Sequence, residues 1–285
     1  MDGVEMSPLI VTSTQDLAGV NIHDTLIKLY PFKPFSKNPE GLQVYRYGDI
    51  LLTSTEKHIV EASHVEEWFD IDLIIFASMH RSASATPCLT VHAPGNLSDT
   101  AEVGGIPRRI CVSAPLYMKA AITHLRGNAE ALDLLDKYEV VMECTHHGDY
   151  LERTPCFFIE IGSREEEWRD PRAAEAVARS IIQALEGVGE ARVGIGIGGP
   201  HYHKRFTELM WISDIAVSHI APKYALPHLD EYMIRQMMER SRPRSSLAIL
   251  DWKGLKGEKK RIISILEGMG VEWTRLSHLL EKYRR

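Results

Sequence analysis

IDLIIFASMH, residues 71–80, is a predominantly apolar run, rich in isoleucine, that closes on His80. A run of this kind suits a strand buried on both faces, as in a parallel sheet covered by helices. The pattern recurs along the chain. CLTVH ends on His92, EVVMECTHH on His146 and His147, RVGIGIGGPHYH reaches His201 and His203, and DIAVSH ends on His219. Strands are read over 9–12, 43–47, 50–53, 71–77, 89–92, 109–112, 140–145, 157–161, 192–197, 215–219 and 247–250. Helical periodicity covers 16–29, 115–125, 128–138, 171–186, 204–212, 230–240, 258–267 and 275–282. Such alternation predicts an α/β fold with a largely parallel or mixed sheet. Helix 171–186 has the sharpest limits, with Asp170 as cap, Pro171 in the first helical position and Gly187 just past the end. Ser163 to Glu166 matches a capping box.

In an open α/β sheet the ligand crevice lies beyond the carboxyl ends of the strands. One histidine in such a place is ordinarily structural, but five strands that deliver histidine to the same end point to one crevice. Glu160 and Ser163 end the FFIEIGS strand, and Arg81 and Ser82 directly follow His80. Adjacent strand residues face opposite ways, so only one of His146 and His147 enters the crevice unless the chain turns between them; His201 and His203 can share a side. Imidazoles with a carboxylate suit zinc, and a zinc with an open position lowers the pKa of bound water to about 7. There is no HExxH motif, and a metal-free histidine acid/base site is the rival reading.

Residues 194–199 contain a literal GxGxxG. Here Gly194 and Gly196 alternate with apolar residues inside the strand, and Pro200 and His201 intervene before any helix, so no nucleotide cofactor is expected. A tight glycine turn at Gly198 and Gly199 fits better. There is no GxSxG elbow. Cys88, Cys111, Cys144 and Cys156 form no CxxC pair and read as buried free thiols; Cys144, two residues before His146, reads as a core cysteine.

With 285 residues the chain can bury a sizeable core. It is read as a single domain over 1–285, with 241–285 a basic extension too small to fold alone. No apolar run approaches a membrane helix and the start lacks the features of a signal peptide, so a cytoplasmic location and no membrane partner are expected. The net charge of −6 conceals an asymmetry: from Arg240 to Arg285 twelve Lys or Arg face five Asp or Glu, a local +7 against −13 for the rest. Such a patch can hold a phosphate backbone by counterion release, or can be only a solvated helical tail.

The stretches HRS (80–82), TVHAPGN (90–96), THHG (145–148), EIGS (160–163), GIGGPHY (196–202), FTE (206–208) and HIAPKYA (219–225) together resemble the archaeal-type D-aminoacyl-tRNA deacylases. The likeness rests on their order and combination. It implies a phosphorylase/hydrolase-like three-layer α/β/α sandwich with a mixed sheet, zinc dependence, and hydrolysis of the ester joining a D-amino acid to the tRNA 3′ end. On that resemblance His80, His92, His146 and His201 form the metal or acid/base set, joined by His147 and His203 as further ligand candidates, with Glu160 as ligand or base. Arg81, Gly198 and Gly199 are candidates for oxyanion or ribose contacts. Lys223 is placed near the terminal phosphates, and Lys253, Lys256, Lys259, Lys260 and Arg261 along the acceptor stem. The expected partner is D-aminoacyl-tRNA, bound by a monomer. A metal-dependent amidase or peptidase on the same sandwich, and a noncatalytic tRNA-binding module, are the alternatives.

Overall fold

The computed structural model describes residues 7–82 and 85–284. The chain enters through the fully buried β1 (Pro8–Ser13), and Asp16 caps α1 (Leu17–Leu29) by accepting the Gly19 N–H at 2.8 Å. A meander follows, β2 (Lys33–Lys37), β3 (Gln43–Tyr47) and β4 (Ile50–Thr55), then β5 (Leu73–Arg81), β6 (Cys88–His92) and a short ribbon of β7 (Gly95–Asn96) and β8 (Arg109–Ile110). Next come α2 (Pro115–Ala131), β9 (Glu139–Met142), β10 (Cys156–Ser163), α3 (Glu165–Trp168), α4 (Pro171–Glu186), β11 (Arg192–Ile197), α5 (Lys204–Ile212) and β12 (Ile215–Ala221). The chain closes with α6 (Glu231–Glu239), β13 (Leu247–Leu250), α7 (Lys259–Gly268), β14 (Trp273–Arg275) and α8 (Leu276–Tyr283).

The fold is the expected α/β/α sandwich, with its β layer in two main parts. One sheet is mixed and runs β2-β3-β4-β1-β5-β10-β6-β9; the other is parallel and runs β12-β11-β13-β14. Strand alternation divides the core. Ile10, Ile75, Ala77, Val91 and Ile159 face α1, α2 and α4, whereas Leu9, Val11, Ile74, Phe76 and Phe158 pack under the segment 59–71. In the second sheet Ile195, Ile197, Ala248 and Leu250 face Met233 and Met237 of α6 and Ile262 and Leu266 of α7. The two sheets meet just beyond β9. Glu143 bridges Tyr202, the Cys144 N–H donates to the His201 carbonyl at 3.0 Å, and the Thr145 N–H donates to the Ile220 carbonyl at 2.8 Å.

Three local expectations change. Residues 115–125 and 128–138 were expected to form two helices; α2 is continuous to Ala131. Asn128 lies inside it and donates to Ser180 Oγ at 2.9 Å and Gln183 Oε1 at 2.7 Å, so it ties α2 to α4. The capping box begins one residue late, with the Arg164 N–H donating to Glu167 at 3.0 Å. β2, β7 and β14 carry too little apolar alternation to read as strands. Residues 241–285 are woven into the second sheet, because β13 lies between β11 and β14. Among the described residues no helix is long and apolar enough to cross a membrane.

His219 is fully buried, its Nε2 donating to the Arg240 carbonyl at 2.8 Å and its Nδ1 3.2 Å from Thr145 Oγ1. It therefore braces the seam and does not enter the crevice. Burial, partly offset by the Arg240 carbonyl, lowers its pKa to about 4. Between the unfolded value near 6.5 and about 4 the unfolded chain takes up a proton that the native state refuses, so native stability falls as pH drops through that window. Denaturant titrations from pH 7 to pH 4 should show His219 contributing a loss on the order of 3 kcal/mol, and His219→Gln should flatten the profile. An identical slope in the variant would remove His219 as the titrating group.

Candidate active site

The seam brings together the ends of β5, β6, β9, β10 and β11 around a cavity of about 730 Å³. Two carboxylates organise it. Glu143 and Glu160 are both almost wholly buried. Glu160 Oε1 accepts the Ser78 hydroxyl at 2.6 Å, while Oε2 lies 3.5 Å from His80 Nδ1 and 3.4 Å from His92 Nε2. Glu143 Oε1 lies 3.3 Å from His80 Nδ1, and Oε2 lies 2.8 Å from His201 Nε2 and 3.4 Å from His146 Nε2. Outer contacts orient the rings. His146 Nδ1 donates to the Cys144 carbonyl at 2.8 Å, His92 stacks on Phe158 at 5.1 Å, and His80 Nε2 meets the Tyr202 hydroxyl at 2.5 Å.

Both of the THH pair enter. His147 has φ +33° and Gly148 φ +86°, so the chain turns there and the two rings sit 4.0 Å apart, both lining the cavity. This is the turn that strand geometry alone does not supply. Protonation divides the histidines into two sets. Burial opposes charge on His201, yet contacts with Cys144 and Glu143 carry its pKa up to about 10; His80 is raised by Glu160 and Glu143 against the same opposition. Burial followed by repulsion from neighbouring histidines takes His146 well below its ordinary value and His147 to about 4. The carboxylates move down: burial pushes both up, but His201 and His80 outweigh it at Glu143, and His80 and His92 at Glu160.

Neutral imidazoles and ionised carboxylates are the forms that bind a metal. His92, His146 and His147 offer one ligand atom each within 4.8 Å of one another, as do His80, Glu143 and Glu160, and Cys144, His146 and His201. On four of these residues a buried polar atom, His92 Nε2, His147 Nδ1, Glu143 Oε1 or Glu160 Oε2, makes no hydrogen bond among the described residues, although His92 Nε2 and Glu160 Oε2 lie 3.4 Å apart and the two carboxylates face His80 Nδ1 at 3.3 and 3.5 Å. Orphaned buried atoms of both ligand types in one cluster fit a divalent cation.

Several sequence candidates stand elsewhere. His203 caps α5: its Nδ1 accepts the Phe206 N–H at 3.3 Å and its Nε2 donates to the Gly198 carbonyl at 3.0 Å, so neither nitrogen faces the cluster. The Gly198 N–H is committed to the Ala221 carbonyl at 2.8 Å and cannot serve an oxyanion. Gly199, at φ +90°, packs so closely that a Cβ would collide with the His203 ring; neither glycine lines the cavity. Arg81 does line it, with its guanidinium 5.0 Å over the Trp168 ring. Lys223 is exposed beside Tyr224. Lys253, Lys256 and Lys260 are exposed, Lys259 lies over Trp252 at 5.0 Å, and Arg261 is spent on Glu258 and the carbonyls of Leu226 and Leu229, at 2.5 to 2.6 Å.

Glu143, Tyr202, Ser78 and Tyr224 escaped the sequence reading. A lone acid inside the apolar run VVMEC was the available sign for Glu143. Cys144 is buried as expected, yet its Sγ is 3.3 Å from His201 Nδ1 and 3.2 Å from the Tyr224 hydroxyl, so it edges the site.

A profile of the family described as D-aminoacyl-tRNA deacylase matches residues 68–274. The D-aminoacyl-tRNA deacylases of Methanosarcina barkeri and Thermococcus kodakarensis are each 36% identical to this chain, covering 96% and 94% of it and 91% and 99% of their own lengths. A crystal structure described as a conserved protein of unknown function is similar over 98% of both chains, with a TM-score of 0.89 and 32% identity.

After the Cys144 contact, the Glu143 carboxylate is the next source of the raised His201 pKa. In metal-stripped protein, Glu143→Gln should move the His201 titration down by at least about one unit, read by ring-nitrogen NMR. An unmoved titration would assign the shift to the Cys144 contact instead.

Proposed function

The chain belongs to the D-aminoacyl-tRNA deacylase family and is an ester hydrolase; from that premise we propose that it cleaves the bond between a D-amino acid and the tRNA 3′ end in the cavity at the seam, as a zinc enzyme. The observation that carries the zinc assignment is the set of orphaned ligand atoms on His92, His147, Glu143 and Glu160. His92, His146 and His147 would hold the ion, with Glu143 and Glu160 supplying charge. When bound, zinc supplies Lewis acidity, which polarises an ester carbonyl and makes water a stronger nucleophile near neutral pH.

The protein's own groups divide the remaining work. Glu160, locked by the Ser78 hydroxyl, keeps Oε2 ready to take a proton from the attacking water. The Tyr202 hydroxyl, whose pKa burial raises, stays protonated and lines the cavity as a donor to the developing oxyanion. His80 joins that hydroxyl to the two carboxylates through its two ring nitrogens, so it can pass a proton toward the departing ribose oxygen. His201, charged and held by Glu143, adds positive potential where negative charge gathers. Lys253, Lys256 and Lys260 present free charge to the phosphate backbone. The chain acts as one domain in the cytoplasm, where its four buried thiols stay reduced.

The test is stereochemical. D and L esters share a leaving group, so a preference must come from geometry around Cα. With equal concentrations of D-Tyr-tRNA and L-Tyr-tRNA, initial rates should differ by at least about a hundredfold, roughly 2.7 kcal/mol, in favour of the D form. Alanine at His80, His92, His146 or His201 should lower turnover by about a hundredfold or more. Equal rates for the two hands would return the protein to general ester hydrolysis. In the same assay, charge reversal at Lys253, Lys256 and Lys260 should raise KM for tRNA and flatten its salt dependence while sparing D-Tyr-adenosine; an unchanged salt slope would leave those lysines as solvated surface.

A further inference from the structure

Whatever the cavity cleaves, it must also receive the group attached to Cα, and we infer that Ile59, Val60 and Val103 form the subsite for the side chain of the D-amino acid, suited to large apolar and aromatic groups. The inference rests on the deacylase reading and adds to it the part of the wall that reads the acyl group.

The cavity lining is chemically split. His80, His146, His147, Glu160 and His201 bring most of the polar groups, whereas the side chains of Ile59 and Val60, from the turn Ile59–Glu61, and of Val103, from the loop between β7 and β8, bring hydrocarbon, with His58 the polar neighbour at its edge. An ester and its ammonium need the first kind of wall. The second would strand an ammonium without a partner, at a cost, but gains when an apolar side chain covers it. Val103 is 53% exposed, which leaves a branched apolar side chain in water at the cavity wall.

The apolar wall is tied to the catalytic one. The Gly148 N–H, next to His147, donates to the Val103 carbonyl at 3.2 Å, and Asn96 Nδ2 donates to the Gly104 carbonyl at 2.9 Å. Gly104, at φ +78°, approaches the Val60 backbone so closely that a Cβ there would collide with the Val60 carbonyl oxygen. Val60, Val103 and the His147 turn are therefore held together by backbone contacts. A carbonyl fixed at the histidines places the substituents of its own Cα within reach of this wall. At about 730 Å³ the cavity has room for an aromatic side chain beside the ester. The loop glycines Gly95 and Gly198, by contrast, do not line it.

The experiment compares kcat/KM for the D-Ala, D-Leu and D-Tyr esters of adenosine in the wild-type protein, Val103→Trp and Val103→Ala. Filling the subsite with tryptophan should cut kcat/KM for D-Leu and D-Tyr at least about tenfold, chiefly through KM, and leave D-Ala within about threefold. Truncation to alanine at this exposed position keeps the fold and should raise KM for D-Leu and D-Tyr but not for D-Ala. An equal loss for all three esters, or an unchanged profile in an active enzyme, overturns the subsite. A wild-type protein inert toward every D ester overturns the deacylase reading itself, and the subsite with it.

Discussion

Two ionised carboxylates, Glu143 and Glu160, lie buried side by side at the cavity's base, bridged by His80, and much of the site's architecture answers to them. A buried charge without a partner is costly, and two of like sign in one cavity cost more. The surrounding histidines respond in opposite ways. His80 and His201 are pulled toward their charged forms by the carboxylates, while His146 and His147 are driven to neutrality by burial and by each other. The outcome is a site that retains free lone pairs on some rings and positive charge on others. His92 Nε2, His147 Nδ1, Glu143 Oε1 and Glu160 Oε2 make no hydrogen bond among the described residues, although three of them face a ring or carboxylate at 3.3 to 3.5 Å, and a set of this kind fits the divalent cation proposed above.

The fold makes that concentration of charge possible by dividing its β layer. β9 ends at Met142, and the next three residues bond across to the second sheet, so one short segment belongs to both. Glu143 is the first residue past the break and points into the gap. His92 and Glu160 come from strands on one side, His201 and Tyr202 from the strand-to-helix turn on the other. Residues that neither sheet could bring together alone thus meet at its edge. Of the other two histidines in the series, His219 spends Nδ1 on Thr145 across this join and Nε2 on the Arg240 carbonyl, while His203 spends both nitrogens on capping α5 and holding the Gly198 carbonyl.

Much of this was legible beforehand. Apolar runs that lead to His80, His92, His146 and His201 pointed to a shared crevice, because such runs and the polar residues after them are local features, and the structure brings these four rings together. What escaped depended on contacts across the chain. Nothing near His203 announces that its two nitrogens are needed for a helix cap and a glycine carbonyl, and nothing near Arg261 announces that two backbone carbonyls occupy it. The glycine turn at Gly198 and Gly199 looked like a substrate cradle, but Gly199 packs against the His203 ring and Gly198 against the backbone of Asp251, Gly254 and Leu255. The THH pair shows the converse: the positive φ of His147 defeats the strict alternation of a strand and admits both rings.

The most direct measurement is an anomalous-scattering map at the zinc absorption edge, from crystals of protein purified without chelator. A cation that balances Glu143 and Glu160 gives a peak among His92, His146, His147 and those carboxylates. A map without a peak there, or with peaks only at exposed histidines outside the cavity such as His278, would contradict the claim that a metal holds this cluster together.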